Sequence, residues 1–294
     1  MVADTEAARL KPFRAAPATA VLGDAVVFIG GGAVKRWSPK DGAVVTLGTP
    51  TRVMALARGG GGAWVVTNDA AARTPQLARA DASALTPIAP QPALANRTEF
   101  LAVTAANVFA ADARALDVFD RATGERLHRE AFAADELATC TPVDDGVVFY
   151  QAGTIVRLGP GAARATYQDS GLSLHYAAGA DRDHLWATSA SSVSLVSLAS
   201  GQAKVERMVA IPGVYHLASV DGDAAVLSVA MKAGAWDTLT VTVVGTDGAI
   251  RWTKALPAPK RQFAEVAGGS GHVAVVLDGT LHVFKAADGA AVTP

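Results

Sequence analysis

Asn107-Val108-Phe109-Ala110-Ala111-Asp112-Ala113-Arg114-Ala115-Leu116-Asp117-Val118-Phe119-Asp120-Arg121-Ala122-Thr123-Gly124 is the stretch on which the fold turns. It opens on an apolar run, Asn107-Val108-Phe109-Ala110, of the kind found in a strand covered on both faces. It then alternates, Leu116-Asp117-Val118-Phe119, as a half-buried strand does. It closes on Arg121-Ala122-Thr123-Gly124, a tight turn whose positive φ glycine adopts without a Cβ clash.

The same parts recur along the chain. The turn returns as Pro39-Lys40-Asp41-Gly42, Gly159-Pro160-Gly161, Leu198-Ala199-Ser200-Gly201, Gly245-Thr246-Asp247-Gly248 and Ala287-Asp288-Gly289. At Ala80-Asp81-Ala82-Ser83 the glycine is lost and the turn composition stays. Apolar runs precede the turns at Ala25–Ile29, Ala63–Val66, Gly146–Tyr150, His184–Ala187, Ala224–Leu227 and His272–Val276. Alternating strands lie between at Val34–Trp37, Ile155–Leu158, Val193–Val196, Leu239–Val243 and Leu281–Phe284. Gly23-Asp24, Asp144-Asp145-Gly146 and Asp221-Gly222-Asp223 supply an earlier turn in their units. No window sustains helical periodicity.

From Gly42 to Gly289 the turns repeat about every 41 residues, the length of a four-stranded propeller blade. The sequence therefore predicts an all-β chain: one seven-bladed β-propeller of four-stranded antiparallel blades. Blades are expected at 17–50, 51–97, 98–136, 137–172, 173–213, 214–260 and 261–294. The last is short of an outer strand, and residues 1–16, through Ala8–Arg14, are expected to close the ring there and cover an exposed edge.

Composition narrows the function. The chain has 294 residues, half of them hydrophobic and 18% charged, with mean hydropathy +0.25; a disordered chain is far more polar. The formal net charge of −1 offers no positive field for a phosphate backbone, so nucleic acid is not an expected partner. Cys140 is the only cysteine. No intrachain disulfide can form, and the setting reads as a buried strand thiol. Residues 1–6 lack the basic-then-apolar pattern of a signal peptide, and no apolar run approaches a membrane span. The expectation is a soluble, cytoplasmic protein without membrane insertion.

Val118-Phe119-Asp120-Arg121-Ala122-Thr123-Gly124 and Val244-Gly245-Thr246-Asp247-Gly248-Ala249-Ile250-Arg251-Trp252 resemble the quinoprotein-type (PQQ-like) repeat, with its Asp-x-x-Thr-Gly turn and a Trp four residues past the Gly. Only Trp252 holds that Trp position; Thr46, His128 and Val205 stand at others. Broader likeness is to WD40-like propellers, although Trp236-Asp237 falls outside the required offset. The resemblance implies a repeat protein without the quinone. Quinoprotein dehydrogenases use eight blades, an adjacent cysteine pair and calcium. In architecture the chain is also similar to cytoplasmic bacterial propellers that accompany a MoxR-type ATPase and a von Willebrand A partner.

Searches for chemistry return little. Gly59-Gly60-Gly61-Gly62 lacks the Gly-Lys-Ser/Thr and the helix of a phosphate loop and reads as a hairpin turn. The six histidines include no metal-ligand pair such as His-x-x-x-His, there is no Gly-x-Ser-x-Gly elbow, and the Asp-rich turns lack the pattern of a calcium loop. No catalytic residue, metal ligand or cofactor is expected. Propeller ligands sit where blade connections meet a channel mouth. Those connections carry Arg52, Glu99, Glu136, His175, Tyr176, Tyr215, His216, Arg261 and Gln262. The same face takes two stretches read as long loops, Thr67–Pro75 and Met231–Asp237, the second presenting an exposed Trp236 between Lys232 and Asp237. The leading expectation is a non-catalytic scaffold binding a protein partner there. One alternative is a metal-dependent hydrolase or lactonase-like enzyme using Glu99 and Glu136 with His175 or His216. Another is a cell-envelope assembly propeller, which depends on an export signal upstream of Met1.

Overall fold

The computed structural model describes residues 19–68, 74–132, 140–151, 154–169, 176–189, 191–199, 201–233, 235–257 and 264–292. Among them the chain is strand after strand; its one helical piece is a 3-10 turn, Pro160–Ala162. Among the described residues no helix is long and apolar enough to cross a membrane.

The strands form seven antiparallel meanders in chain order. The first is β1 (Thr19–Leu22), β2 (Ala25–Gly30), β3 (Ala33–Trp37) and β4 (Val44–Gly48), and the second is β5 (Arg52–Gly59), β6 (Gly62–Asn68), β7 (Gln76–Ala80) and β8 (Leu85–Pro87). The third holds β9 (Phe100–Val103), β10 (Asn107–Ala111), β11 (Ala115–Asp120) and β12 (Arg126–Ala131). The fourth holds β13 (Cys140–Val143), β14 (Gly146–Gln151), β15 (Thr154–Leu158) and β16 (Arg164–Asp169). The fifth holds β17 (Tyr176–Gly179), β18 (His184–Thr188), β19 (Ser192–Ser197) and β20 (Gln202–Ala210). The sixth holds β21 (Val214–Val220), β22 (Asp223–Lys232), β23 (Ala235–Val244) and β24 (Ile250–Pro257). The seventh holds β25 (Ala264–Gly269), β26 (His272–Leu277) and β27 (Thr280–Lys285). A short parallel pairing, Gln168 with Gln202 and Asp169 with Ala203, also joins the outer strands of the fourth and fifth sheets.

First strands of neighbouring sheets touch, β9 meets β14 where the third sheet adjoins the fourth, and β25 returns to β1, so the meanders stand in a closed ring. This is a β-propeller. At the outer position of the seventh sheet the chain's own end pairs: Ala291 bridges Phe284, and the Val292 amide donates to the Val283 carbonyl at 2.8 Å. The expected closure by residues 1–16 lies outside the described residues.

The core is divided among seven seams. Each hydrophobic cluster is built from two successive sheets, and one joins the seventh to the first through Val21, Val26, Phe28 and Trp37 against Ala274, Val276 and Val283. That division explains the apolar second strands. Side chains alternate across a strand, so Val26 and Phe28 enter one seam while Val27 enters the next. Likewise Trp186 faces the sixth sheet while Leu185 and Ala187 face the fourth. A strand lying between two seams has no solvent face. At roughly 1.5–3 kcal/mol per buried large apolar side chain, each seam stabilises two sheets that alone would expose a hydrophobic face.

The third strands depart from the half-buried reading. All five described residues of β11 ahead of Asp120 are buried, and β15 and β19 are nearly as enclosed. Their polar members face a seam and find partners there. Asp117 accepts from Arg129 Nη1 at 2.9 Å, and Thr242 bonds Thr253 across strands at 3.2 Å. Cys140 begins β13 against the seam of the third and fourth sheets, and burial pushes its thiol pKa up.

The recurring turn owes its shape to its aspartate as much as its glycine. Asp120 Oδ1 accepts the amides of Ala122 and Thr123 and the Thr123 hydroxyl, and Gly124, at φ 70, donates to the Asp120 carbonyl. Those bonds, with the Thr123 amide foremost, hold the Asp120 pKa below its ordinary 3.8. At Asp247 the Ala249 amide leads, helped by Arg251. A carboxylate whose pKa is lowered on folding adds stability above its unfolded value and loses it as pH falls through the folded one. Desolvation leads at Asp117 and raises its pKa against the pull of Arg129 and Arg126, so its protonation works the other way. The expected result is a denaturation midpoint that is flat near neutrality and drops below about pH 4. In an Asp120→Asn/Asp247→Asn variant that drop is shallower, measurable by urea unfolding followed between pH 6 and pH 2.

Candidate functional site

In an antiparallel meander the turns after first and third strands share one face, and the turns after second strands share the other with the connections between sheets. The sequence-predicted residues that are described belong to this second, connection face. Glu136, His175, Arg261 and Gln262 lie outside the described residues. Tyr176 opens β17. Arg52 opens β5 as an exposed residue, and Glu99 precedes β9 with its amide on the Ala111 carbonyl at 2.8 Å. These two stand in the second and third sheets, and the remaining three gather in the sixth.

Tyr215, His216 and Trp236 occupy one corner. The pairing of β21 with β22 slips between Val214 and His216, so Tyr215 is an extra residue in its strand. The pairing of β22 with β23 slips at Met231, which faces Trp236 and leaves Asp237 extra. Bulges of this kind re-aim side chains. Here they bring the Tyr215 and Trp236 rings edge to face, with centroids 4.6 Å apart and planes at 74°. Both rings pack on the cluster between the sixth and seventh sheets. Tyr215 and Trp236 thus belong to a seam.

Two expectations are corrected. Met231–Asp237 is no long loop: β22 and β23 run ten residues each, against five or six in most second and third strands, and turn tightly through Ala233 at φ 50. Trp236 is no exposed loop residue either; it lies on β23, half-buried. The exposed apolar group is Met231, 58% accessible beside it. The extra length carries this hairpin outward with Met231, Ala233 and Ala235 at its tip. Of the other stretch, Thr67–Pro75, residues 69–73 lie outside the described part.

The face with the hairpin turns is stitched by polar contacts that composition did not reveal. Arg121 Nη1 donates to Thr104 O at 3.0 Å and Gly60 O at 3.2 Å, its guanidinium 4.8 Å above the Trp64 ring. The Gly161 amide reaches Asn107 Oδ1, Arg157 reaches the Arg182 carbonyl and Asp145, and Trp186 Nε1 reaches the Gly222 carbonyl. Asp221 accepts the Ser270 and Gly271 amides, and Ser270 Oγ accepts the Gly23 amide. These contacts cross six of the seven seams. At the seam of the first and second sheets no such bond is formed among the described residues. Instead a cleft of about 640 Å³ opens there, lined by Gly23, Asp24, Arg36, Arg58, the Gly59–Gly62 run, Arg79 and Asp81. No group of three or more His, Cys, Asp or Glu side chains converges on a point where a metal ion could sit, among the described residues.

No family model matches the chain, and no curated protein matches its sequence. Solved structures do resemble it. Kluyveromyces lactis Hsv2 aligns with TM-score 0.60 at 10% identity, covering 89% of both chains. The structure of U3-55K aligns with TM-score 0.57 at 12% identity, covering 89% of this chain and 88% of that one. BamB from Moraxella catarrhalis aligns with TM-score 0.52 at 14% identity, covering 93% and 83%. Trp252 Nε1 donates to the Ala286 carbonyl at 2.6 Å, and a Cβ on Gly289 would stand 2.8 Å from its ring, so this Trp packs on the glycine turn of the next sheet. At such identities the likeness is one of architecture, and the chain shares the β-propeller fold with these proteins.

Proposed function

We propose that the protein is a non-catalytic interaction module that docks a protein partner on its connection face, anchored by the β22–β23 hairpin. The observation that carries this reading is the corner of the sixth sheet: an edge-to-face Tyr215–Trp236 pair with an accessible Met231 beside it, lifted outward by the longest hairpin among the described strands. Tyr and Trp dominate binding hot spots because they bury a large rigid surface with few rotamers to fix. Methionine beside them adapts to an irregular partner surface. A half-buried indole is also already ordered by Tyr215, so little side-chain entropy is lost on docking.

The test begins with affinity capture from the native host, followed by binding measurements with the purified partner. Trp236→Ala is expected to weaken the complex about 30-fold, equivalent to roughly 2 kcal/mol, and Met231→Glu to weaken it further. Met208→Ala, on the accessible outer strand β20, is expected to leave affinity unchanged. Full affinity in both hairpin variants removes the corner as the anchor.

A further inference from the structure

We propose that the cleft between the first and second sheets, on the face opposite the hairpin, binds a small polyanion bearing phosphate or carboxylate groups. Arg157 stands opposite Val148, two residues past the turn residue Gly146. Arg36 stands opposite Val27, two past Ala25, and Arg79 opposite Trp64, two past Gly62. The three arginines therefore hold one position in three sheets. In the fourth sheet that position closes a seam: the Arg157 side chain is only 10% accessible and is shared between Asp145 and the Arg182 carbonyl of the next sheet.

Its two counterparts are not spent in this way. Arg36 bonds Asp41, on its own sheet's outer turn, at 3.2 Å, and Lys40 takes Asp24, the counterpart of Asp145, at 2.7 Å. Arg79 touches Asp81 of its own sheet through Nε at 3.4 Å. Arg36 shares its side of the sheet with Val27, toward this cleft, and Arg79 shares its side with Trp64, toward the third sheet; both are among the residues that line the cleft. A third, Arg58, enters from β5 and lies over the seventh sheet's turn, with Nη1 3.2 Å from the Gly268 carbonyl. A Cβ on Gly269 would fall 1.5 Å from that nitrogen, so glycine is what lets Arg58 lie there. No carboxylate pairs with Arg58 among the described residues.

Three arginines lining about 640 Å³, with the Gly59–Gly62 run leaving that part of the wall free of side chains, suit a ligand rather than a seam. Guanidinium forks match phosphate and carboxylate bidentately. Asp24 and Asp81 also line the cleft and offset part of that positive charge, so the arginines must be met by more than one anionic group at once. This site is independent of the docking face.

Calorimetric titration of the full chain at low salt with pyrophosphate and with citrate tests it. Binding tighter than about 1 mM to either is expected, pyrophosphate alone marking a phosphate ligand and citrate alone a carboxylate one. Arg58→Gln and Arg79→Gln are each expected to weaken it about tenfold with the thermal midpoint unchanged, and added salt to weaken it as well. Arg114→Gln, exposed on the opposite face, is the control. The proposal is overturned by no heat from either anion at about 10 mM, or by an equal loss in the Arg114 variant.

Discussion

Trp186→Ala is expected to lower stability by about 3–5 kcal/mol, read as a shifted midpoint in urea with a preserved slope. The indole is fully buried in the seam of the fifth and sixth sheets, among Ala178, Leu217, Ala224, Val226 and Val244. Its removal leaves a cavity between two rigid sheets, and sheets backed on both sides collapse into a gap poorly. The indole nitrogen also gives up its bond to the Gly222 carbonyl at 2.8 Å, which is worth about 1 kcal/mol. Trp186→Phe separates the two contributions, since it keeps most of the volume and loses only the donor. A loss of about 1–2 kcal/mol is expected there. Equal losses in the two variants would mean that the polar stitch, and not packing, holds this seam. A loss under about 1 kcal/mol in Trp186→Ala would contradict the seam as core.

The second large effect comes from a glycine pair only two residues apart. A Cβ on Gly59 would lie 1.8 Å from the Val103 carbonyl oxygen of β9, at φ 156. Backbone of the third sheet must move to admit it, and that seam also carries Arg121. Gly59→Ala is therefore expected to cost more than about 3 kcal/mol, beyond the usual range for overpacking. Gly61 has φ 75 and open space around its Cβ direction. Gly61→Ala meets only the left-handed backbone penalty, about 1–2 kcal/mol. Thermal or urea melts of the two variants side by side check the ordering. If Gly61→Ala costs as much as Gly59→Ala, close approach between sheets is not what Gly59 serves.

Much of the architecture was readable before any coordinates, because its signals are local. Continuous apolar runs became β2, β6, β10, β14, β18, β22 and β26, and the Asp/Gly clusters became the turns between them and the first strands. The errors also have local causes. Gly234 and the polar Lys232 and Asp237 give Met231–Asp237 the composition of a loop, yet the β22–β23 ladder continues through it because a bulge absorbs the extra residue. Asp117 and Arg157 made their strands look one-sided, since alternation reports residue type and not which groups a polar side chain will find, Arg129 and Arg126 on the neighbouring strand for Asp117 and the Arg182 carbonyl across a seam for Arg157.

The repeat in the chain was enough to set strand order, turn chemistry and the need for many sheets to stack, since all three follow from neighbours within about ten residues. Closure of the ring could be expected from that repeat, but its contacts could not: Ser270 holds Gly23 across 247 residues, and Arg58 crosses 210 to reach Gly268. Such partners are matched by where the sheets place them, and no sequence spacing encodes it. For the same reason the seam left without such a bond among the described residues, the three arginines beside it and the pairing of Tyr215 with Trp236 came into view only once the sheets stood side by side.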